Sequence, residues 1–231
     1  MFKLILISLT FALSFATMAI DVDVYSGGAL SNSDLQCLIG KGAQYFSFEI
    51  RNDDGYINTN FTNSYKYLKT AGVKHIDAIL SLCDAYSADQ MCSEVAKNLP
   101  QGFDGKVWLN IDTDDDCWKS TYGQFLHYLE GIVSTCQSYN LTVGILGTAN
   151  NYNWFVSGDM RRSSPTLIQF PLWYVHIDKQ ASFSDFADLD AGFGGWPQPF
   201  MKRYTGLQKI CNTYASTDFL AVMNQEETIS Q

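Results

Sequence analysis

The stretch Val107-Trp108-Leu109-Asn110-Ile111-Asp112, followed by Thr113-Asp114-Asp115-Asp116-Cys117-Trp118, decides the fold. Its centre is apolar and strand-forming, it breaks into a carboxylate cluster, and a long helical pattern opens after it. Side chains alternate along a strand, so Trp108, Asn110 and Asp112 project from one face. A buried strand that passes through polar residues into a helix is the repeating unit of a parallel β/α sheet. An aromatic ring, an amide and a carboxyl group at the C-terminal end of such a strand also suit sugar chemistry. A carboxyl donates a proton, a polar neighbour steadies charge, and a flat ring holds a pyranose face.

Working outward, the same unit recurs. Ile20 to Tyr25 reads as a strand, and Ser31 begins a short helix that stops at Gly40 and Gly42. Tyr45 to Arg51 is a strand, and Asn52-Asp53-Asp54-Gly55 is a turn. Phe61, Tyr65 and Leu68 mark a helix ending at Gly72. His75 to Leu82 is a third strand, and Ala88 to Leu99 is helical up to Pro100. After the fourth strand, Tyr122, Phe125, Leu126, Leu129, Ile132, Val133 and Cys136 form one apolar stripe. Leu141 to Leu146 is a fifth strand. Beyond it helices fade, and Ile168 to Ile177, Phe200 to Tyr204 and Phe219 to Met223 read as strands joined by loops. Repeated strand–helix units in one chain of this length predict a barrel with a parallel sheet and its functional groups at the C-terminal strand ends.

The chain begins with the pattern of a secretory signal: Lys3, an apolar run from Leu4 to Phe15, and small residues at Thr17-Met18-Ala19. Cleavage there leaves residues 20–231 as a single domain and takes the net charge from −9 to −10, since Lys3 is removed. An acidic chain argues against nucleic acid and anionic membrane as partners. It approaches an anionic cell wall best at low pH or high salt. The expected location is outside the cell, or the lumen of a lysosome, phagosome or digestive vacuole. Cys37, Cys83, Cys92, Cys117, Cys136 and Cys211 contain no C-x-x-C pair, so disulfides are expected and zinc is not. Of the possible pairings, the expectation is Cys83–Cys92 and Cys117–Cys136 as local loops, with Cys37–Cys211 tying the ends. No metal or cofactor is called for, since no His/Cys/carboxylate group has ligand spacing. Asn60-Phe61-Thr62 and Asn140-Leu141-Thr142 are glycosylation sequons.

In order and spacing, these segments resemble the glycoside hydrolase family 25 muramidases, in their invertebrate and protist branch, over essentially the whole mature chain. The residues that carry the resemblance are Ile20-Asp21-Val22 with Tyr25, Phe48-Glu49-Ile50-Arg51, Gly55-Tyr56-Ile57-Asn58, and Ala71 to Asp77 with Cys83 and Cys92. Further along they are Val107 to Asp112, Val143 to Leu146, Trp154 to Gly158, Leu172-Trp173-Tyr174-Val175, Lys202-Arg203-Tyr204 and Asp218. The resemblance implies a distorted TIM-like barrel of eight strands with about five helices. It also implies hydrolysis of the β-1,4 bond between N-acetylmuramic acid and N-acetylglucosamine in peptidoglycan; the sequence shows no sign of an oligomer interface, so a monomer is expected. The resemblance places Asp21, Asn110, Asp112 and Asp218 in the catalytic positions, and Trp108, Trp173 and Tyr174 near the sugar cleft. Arg203 and Asp23 join them as substrate-side residues, Asp23 because it shares a strand face with Asp21 or else lies on the rim.

The chain departs from the family at the centre of the site. Asp-x-Glu is here Asn110-Ile111-Asp112, a tyrosine of the third strand is Ile79, and a late glutamine is Arg203. Shortening the acid withdraws it by one carbon–carbon bond, and a misplacement near 1 Å costs on the order of a hundredfold in rate. The Asn110 carbonyl is expected to orient a substrate acetamide, and the missing charge to lower the Asp112 pKa. Asp114, Asp115 and Asp116 are either substitute acids or a helix N-terminus, where negative charge is favoured. Three functions follow: a lysozyme, a catalytically impaired protein that binds amino-sugar polymers, and an acetamido-sugar hydrolase of chitinase type. The third ranks last, because Phe103-Asp104-Gly105 with Asn110 and Asp112 lacks that family's longer acidic series.

Overall fold

The computed structural model describes residues 17–22, 30–113, 117–118, 124–159, 162–188 and 193–220. Seven strands run in chain order around a barrel: β1 (Thr17–Val22), β2 (Ala43–Arg51), β3 (His75–Ser81), β4 (Val107–Asn110), β5 (Val143–Thr148), β6 (Leu172–Val175) and β7 (Met201–Arg203). Each is parallel to the next. The eighth, β9 (Thr213–Leu220), is antiparallel to both β7 and β1 and closes the ring. A short β8 (Gln208–Ile210) pairs with β9 alone, as a hairpin outside the ring. The expected barrel of eight strands is present, and the antiparallel closing strand is what makes it mixed.

The helices α1 (Asn32–Gly40), α2 (Phe61–Thr70), α3 (Ala88–Asn98) and α4 (Phe125–Ser138) follow β1 to β4. They start where the sequence supplies caps. The Ser31 hydroxyl accepts from the Asp34 amide while Asp34 reaches back to the Ser31 amide, a capping box. Ser87 caps α3. The predicted stripe holds in α4, where Phe125, Leu129, Ile132, Val133 and Cys136 are buried. Two further helices, α5 (Ala149–Phe155) and α6 (Ser184–Asp188), occupy the region read as helix-poor.

Inward-facing residues form a plug and a mouth. Ala19, Tyr45, Ile79, Trp108, Leu146, Trp173, Met201 and Leu220 pack inside the ring. Trp108 and Trp173 meet edge to face, with centroids 5.5 Å apart. Gly144 makes room for this pair, since a Cβ there would lie 2.4 Å from the Trp108 ring. The plug is anchored below by Asp77, which accepts from Trp108 Nε1 at 2.7 Å, from the Lys106 amide at 2.8 Å and from the Tyr45 hydroxyl.

Three disulfides are present. Cys37–Cys211 ties α1 to the turn between β8 and β9, as expected. The other two pairings differ from expectation. Cys83 joins Cys117, and Cys92 joins Cys136. The local loops are overruled because successive β/α units lie side by side, so the residue after β3 meets the residue after β4 and α3 meets α4.

Of the proposed leader, residues 1–16 lie outside the described residues; Thr17, Met18 and Ala19 are the first residues of β1. Cleavage after Ala19 keeps the pairings of Ile20, Asp21 and Val22 with β2. Asp23, Tyr25 and Asp114 to Asp116 also lie outside the described residues. Among the described residues no helix is long and apolar enough to cross a membrane.

Candidate active site

Above the plug, alternation brings Asp21 from β1, Glu49 from β2, Ser81 from β3, Asn110 from β4, Thr148 from β5, Arg203 from β7 and Asp218 from β9 to the inner wall. Asp112 stands two residues past β4, at the lip. Asp21 and Asp218 meet at Arg203, whose charge is also felt by Asp112. Arg203 Nε donates to Asp21 Oδ2 at 2.8 Å and lies 3.9 Å from Asp218 Oδ1. Burial works against the Arg203 charge, but Asp21, Asp218 and Asp112 outweigh it and hold its pKa above the usual value.

Asp218 is buried, and Trp173 Nε1 donates to its Oδ1 at 3.0 Å. Burial and the adjacent Asp21 carboxylate push its pKa well up, against the pull of Arg203. As a carboxylate, Asp218 leaves Oδ2 without a hydrogen-bond partner. With a proton there, it donates to Asp21. Asp218 therefore holds its proton, and the two residues share one guanidinium.

Asp112 is part-buried, and its Oδ1 accepts from Asn151 Nδ2 at 2.8 Å. Asn151 reaches it because α5 starts directly on β5, with Thr148 capping the Asn151 amide at 3.0 Å. Burial raises the Asp112 pKa, outweighing Arg203 and Thr148, which lower it. The missing charge at Asn110 does not bring Asp112 below the usual carboxylate range. Losing a charge at Asn110 matters less than desolvation, and a desolvated carboxyl holds its proton to higher pH.

Asn110 is corrected in role. Its Oδ1 accepts from the Asp112 amide at 2.9 Å, and its Nδ2 donates to Ser81 Oγ at 3.1 Å. With its carbonyl engaged on the backbone, it turns an N–H toward the inner wall.

Trp108 and Trp173 are fully buried in the plug, where they form the floor and offer no face to a sugar. Tyr174 faces outward from β6, stacked edge-on against Phe186 with its hydroxyl on Asp185. None of the three is a platform. For Trp108 and Trp173, strand alternation gives the side of the wall and not the depth; Tyr174, next to Trp173, takes the opposite side. Among the described residues, the large apolar side chains left exposed are Tyr56, Trp154, Ile177, Leu207 and Tyr214. Tyr56, Ile177 and Leu207 follow the C-terminal ends of β2, β6 and β7, and Tyr214 opens the antiparallel β9. Tyr214 shares the inward face of β9 with Ser216 and Asp218, two and four residues on.

One cluster escaped sequence reasoning. His176, Asp178 and Asp185 bring ligand-type atoms within 4.8 Å of one another. The buried Lys202 ammonium sits among them, 2.7 Å from Asp178 and 2.9 Å from Asp185. It already supplies the positive charge these groups require.

A mixed eight-stranded barrel with carboxyl groups ringing its mouth defines a TIM-like barrel whose site lies at the C-terminal strand ends. The family profile described as "Lysozyme-like protein 1" matches residues 14–204, and the chain belongs to that family, within the glycoside hydrolase family 25 lysozymes. It is 30% identical over 215 residues to "Probable GH family 25 lysozyme 3" of Dictyostelium discoideum, covering 90% of this chain and 43% of that protein. It is 28% identical over 207 residues to "Counting factor 50" of the same organism, covering 87% of this chain and 65% of that protein. The chain thus spans less than half the length of the first of these relatives and about two thirds of the second. In structure it is similar to a family GH25 lysozyme from Aspergillus fumigatus, with a TM-score of 0.66 at 13% identity over 91% of this chain and 96% of that one.

Proposed function

We propose that the protein is a secreted lysozyme that hydrolyses the β-1,4 bond between N-acetylmuramic acid and N-acetylglucosamine in bacterial peptidoglycan. The observation that carries this reading is Asp112. It is a part-buried carboxyl at the barrel mouth, held by Asn151, with its pKa raised by burial. That is the state of a general acid, which must keep its proton until the leaving oxygen takes it. The exposed aromatic side chains at the mouth suit the apolar faces of sugars.

Mechanistically, the Asp112 proton passes to the glycosidic oxygen as the C1–O bond breaks. The Asp21–Arg203–Asp218 group fixes the opposite wall. Asn110 presents a donor and suits a substrate carbonyl oxygen better than an acetamide N–H.

A second reading is favoured by Asn110 itself. Without charge at that position, the site binds amino-sugar polymers and does not cut them. One experiment separates the two. The chain is expressed with its leader in a secreting host, and the recovered protein is checked by mass for an N-terminus at Ile20. Clearing of bacterial walls is then followed from pH 3 to 8. The expected outcome is lysis that falls at least about a hundredfold in Asp112→Asn, the scale of a lost general acid. Folded protein that is retained on walls without releasing reducing ends would establish the binding reading instead.

A further inference from the structure

The hydrogen bonds along the inner wall all run one way. The Asp112 amide donates to Asn110 Oδ1 at 2.9 Å, and Asn110 Nδ2 donates to Ser81 Oγ at 3.1 Å. Ser81 Oγ, having accepted, gives its single proton to Glu49 Oε1 at 2.5 Å. The Asn110 carbonyl is engaged by the backbone amide, so its NH2 faces Ser81, and the Ser81 hydroxyl keeps its single proton to donate to a Glu49 carboxylate. A chain of donors that ends on a carboxyl oxygen favours negative charge at that end.

Glu49 lies on β2, two and four residues past the inward-facing Ser47 and Tyr45, and is part-buried at the mouth. The other carboxyls at the mouth have different fates. Asp21 is bound to Arg203, Asp218 is buried with a raised pKa, and Asp112 is biased toward its protonated form. A glycosidic site of the two-carboxyl kind pairs a protonated acid with a charged partner. Asn110 carries no charge, and one hydroxyl separates it from Glu49.

We propose that Glu49 is the charged carboxylate of the site, the catalytic partner of Asp112, facing the cationic sugar as the bond breaks. This rests on the hydrolase reading above. The proton of Asp112 goes to the glycosidic oxygen, which keeps the bonding pair and leaves as a sugar hydroxyl. The positive charge left at C1 is shared with the ring oxygen. Glu49 offsets that charge without bonding to it. Water then adds to C1 and yields a proton to the Asp112 carboxylate, which restores the acid.

The test compares wild type, Glu49→Gln, Glu49→Asp and Glu49→Gln/Asn110→Asp, measuring kcat and KM on soluble peptidoglycan oligomers and melting temperature on each protein. Glutamine keeps an acceptor for the Ser81 bond, and a structural role of Glu49 would show as a lower melting temperature in Glu49→Gln, whereas an electrostatic role lowers kcat with the melting temperature little changed. The expected result is a kcat lower by on the order of a hundredfold, the scale of one lost electrostatic stabiliser, with KM little changed. Glu49→Asp retains more activity than Glu49→Gln. Asn110→Asp, which returns a charge one hydroxyl away, recovers at least about tenfold of the loss, a gain of about 1.4 kcal/mol. Wild-type kcat in Glu49→Gln, or no recovery in the double variant, would overturn the assignment and leave the hydrolase reading standing. A wild type inactive on every oligomer would overturn both.

Discussion

Arg203 is the residue on which the site turns, because one guanidinium serves three carboxyls. Its removal acts on two observables. Asp112 loses the positive charge that lowers its pKa, so burial acts with less opposition and the pKa rises further. In Arg203→Gln the falling, alkaline limb of the kcat–pH profile is therefore expected to move to higher pH. Asp21 and Asp218 lose their shared cation in a largely buried setting. Breaking such a pair typically costs about 3 kcal/mol, readable by denaturant unfolding. An unchanged alkaline limb would separate Asp112 from Arg203 electrostatically. Much at this scale was legible. Asp21, Asp112, Arg203 and Asp218 were all named from motif order, and they do converge. Trp108 and Trp173 were misplaced because period-two alternation cannot separate floor from mouth. Glu49 was quoted within its motif but given no role, because its importance depends on Ser81 and Asn110, which reach it from two other strands.

Among the elements, the segment that carries Asp112 is held from both sides. Thr113 Oγ1 donates to the Leu82 carbonyl at 3.0 Å and accepts from Trp118 Nε1 at 2.7 Å. Cys83–Cys117 staples the residues after β3 to those after β4. Cys92–Cys136, by contrast, joins α3 to α4 away from the mouth. Replacing Cys83 and Cys117 together by serine is expected to lower both stability and kcat, since the acid loses its positioning. The same change at Cys92 and Cys136 is expected to lower stability alone. Each costs about 2–4 kcal/mol on the usual scale for loops of this kind. Equal kcat in the two double variants would show that the staple near Asp112 does not position it. The long elements were readable because several turns of a stripe, as in α4, outweigh local noise. The elements α5, α6 and β8 were missed because none is long enough to show a period. The reversed direction of β9 was equally invisible, since a strand's alternation looks the same in either sense.

For the whole molecule, the balance of buried and exposed carboxyls sets where the fold is most stable. Asp77, Asp112 and Asp218 have raised pKa values, in each case chiefly through burial. A folded state that binds such protons more tightly than the unfolded chain loses stability as pH climbs above the unfolded value of about 3.9. Asp104 is lowered chiefly by its bond from Lys69, while at Glu94, Asp178 and Asp185 bonds from Arg51, Lys202 and their neighbours overcome the effect of burial. Their contribution is complete above the unfolded values and fades as pH falls below them. The two sets therefore oppose one another, and their sum peaks on the acid side of neutrality. This matches a chain whose acidity hinders its approach to an anionic wall at neutral pH, and a general acid that works while protonated. Melting temperature followed from pH 3 to 8 is expected to show that maximum and to decline toward neutrality. Asp218→Asn removes one of the buried protons from the balance while keeping an acceptor for Trp173. Its curve should fall less steeply between pH 5 and 7 than the wild-type curve. An Asp218→Asn curve parallel to the wild-type curve would mean that Asp218 is ionised in the folded protein and carries no proton at the barrel mouth.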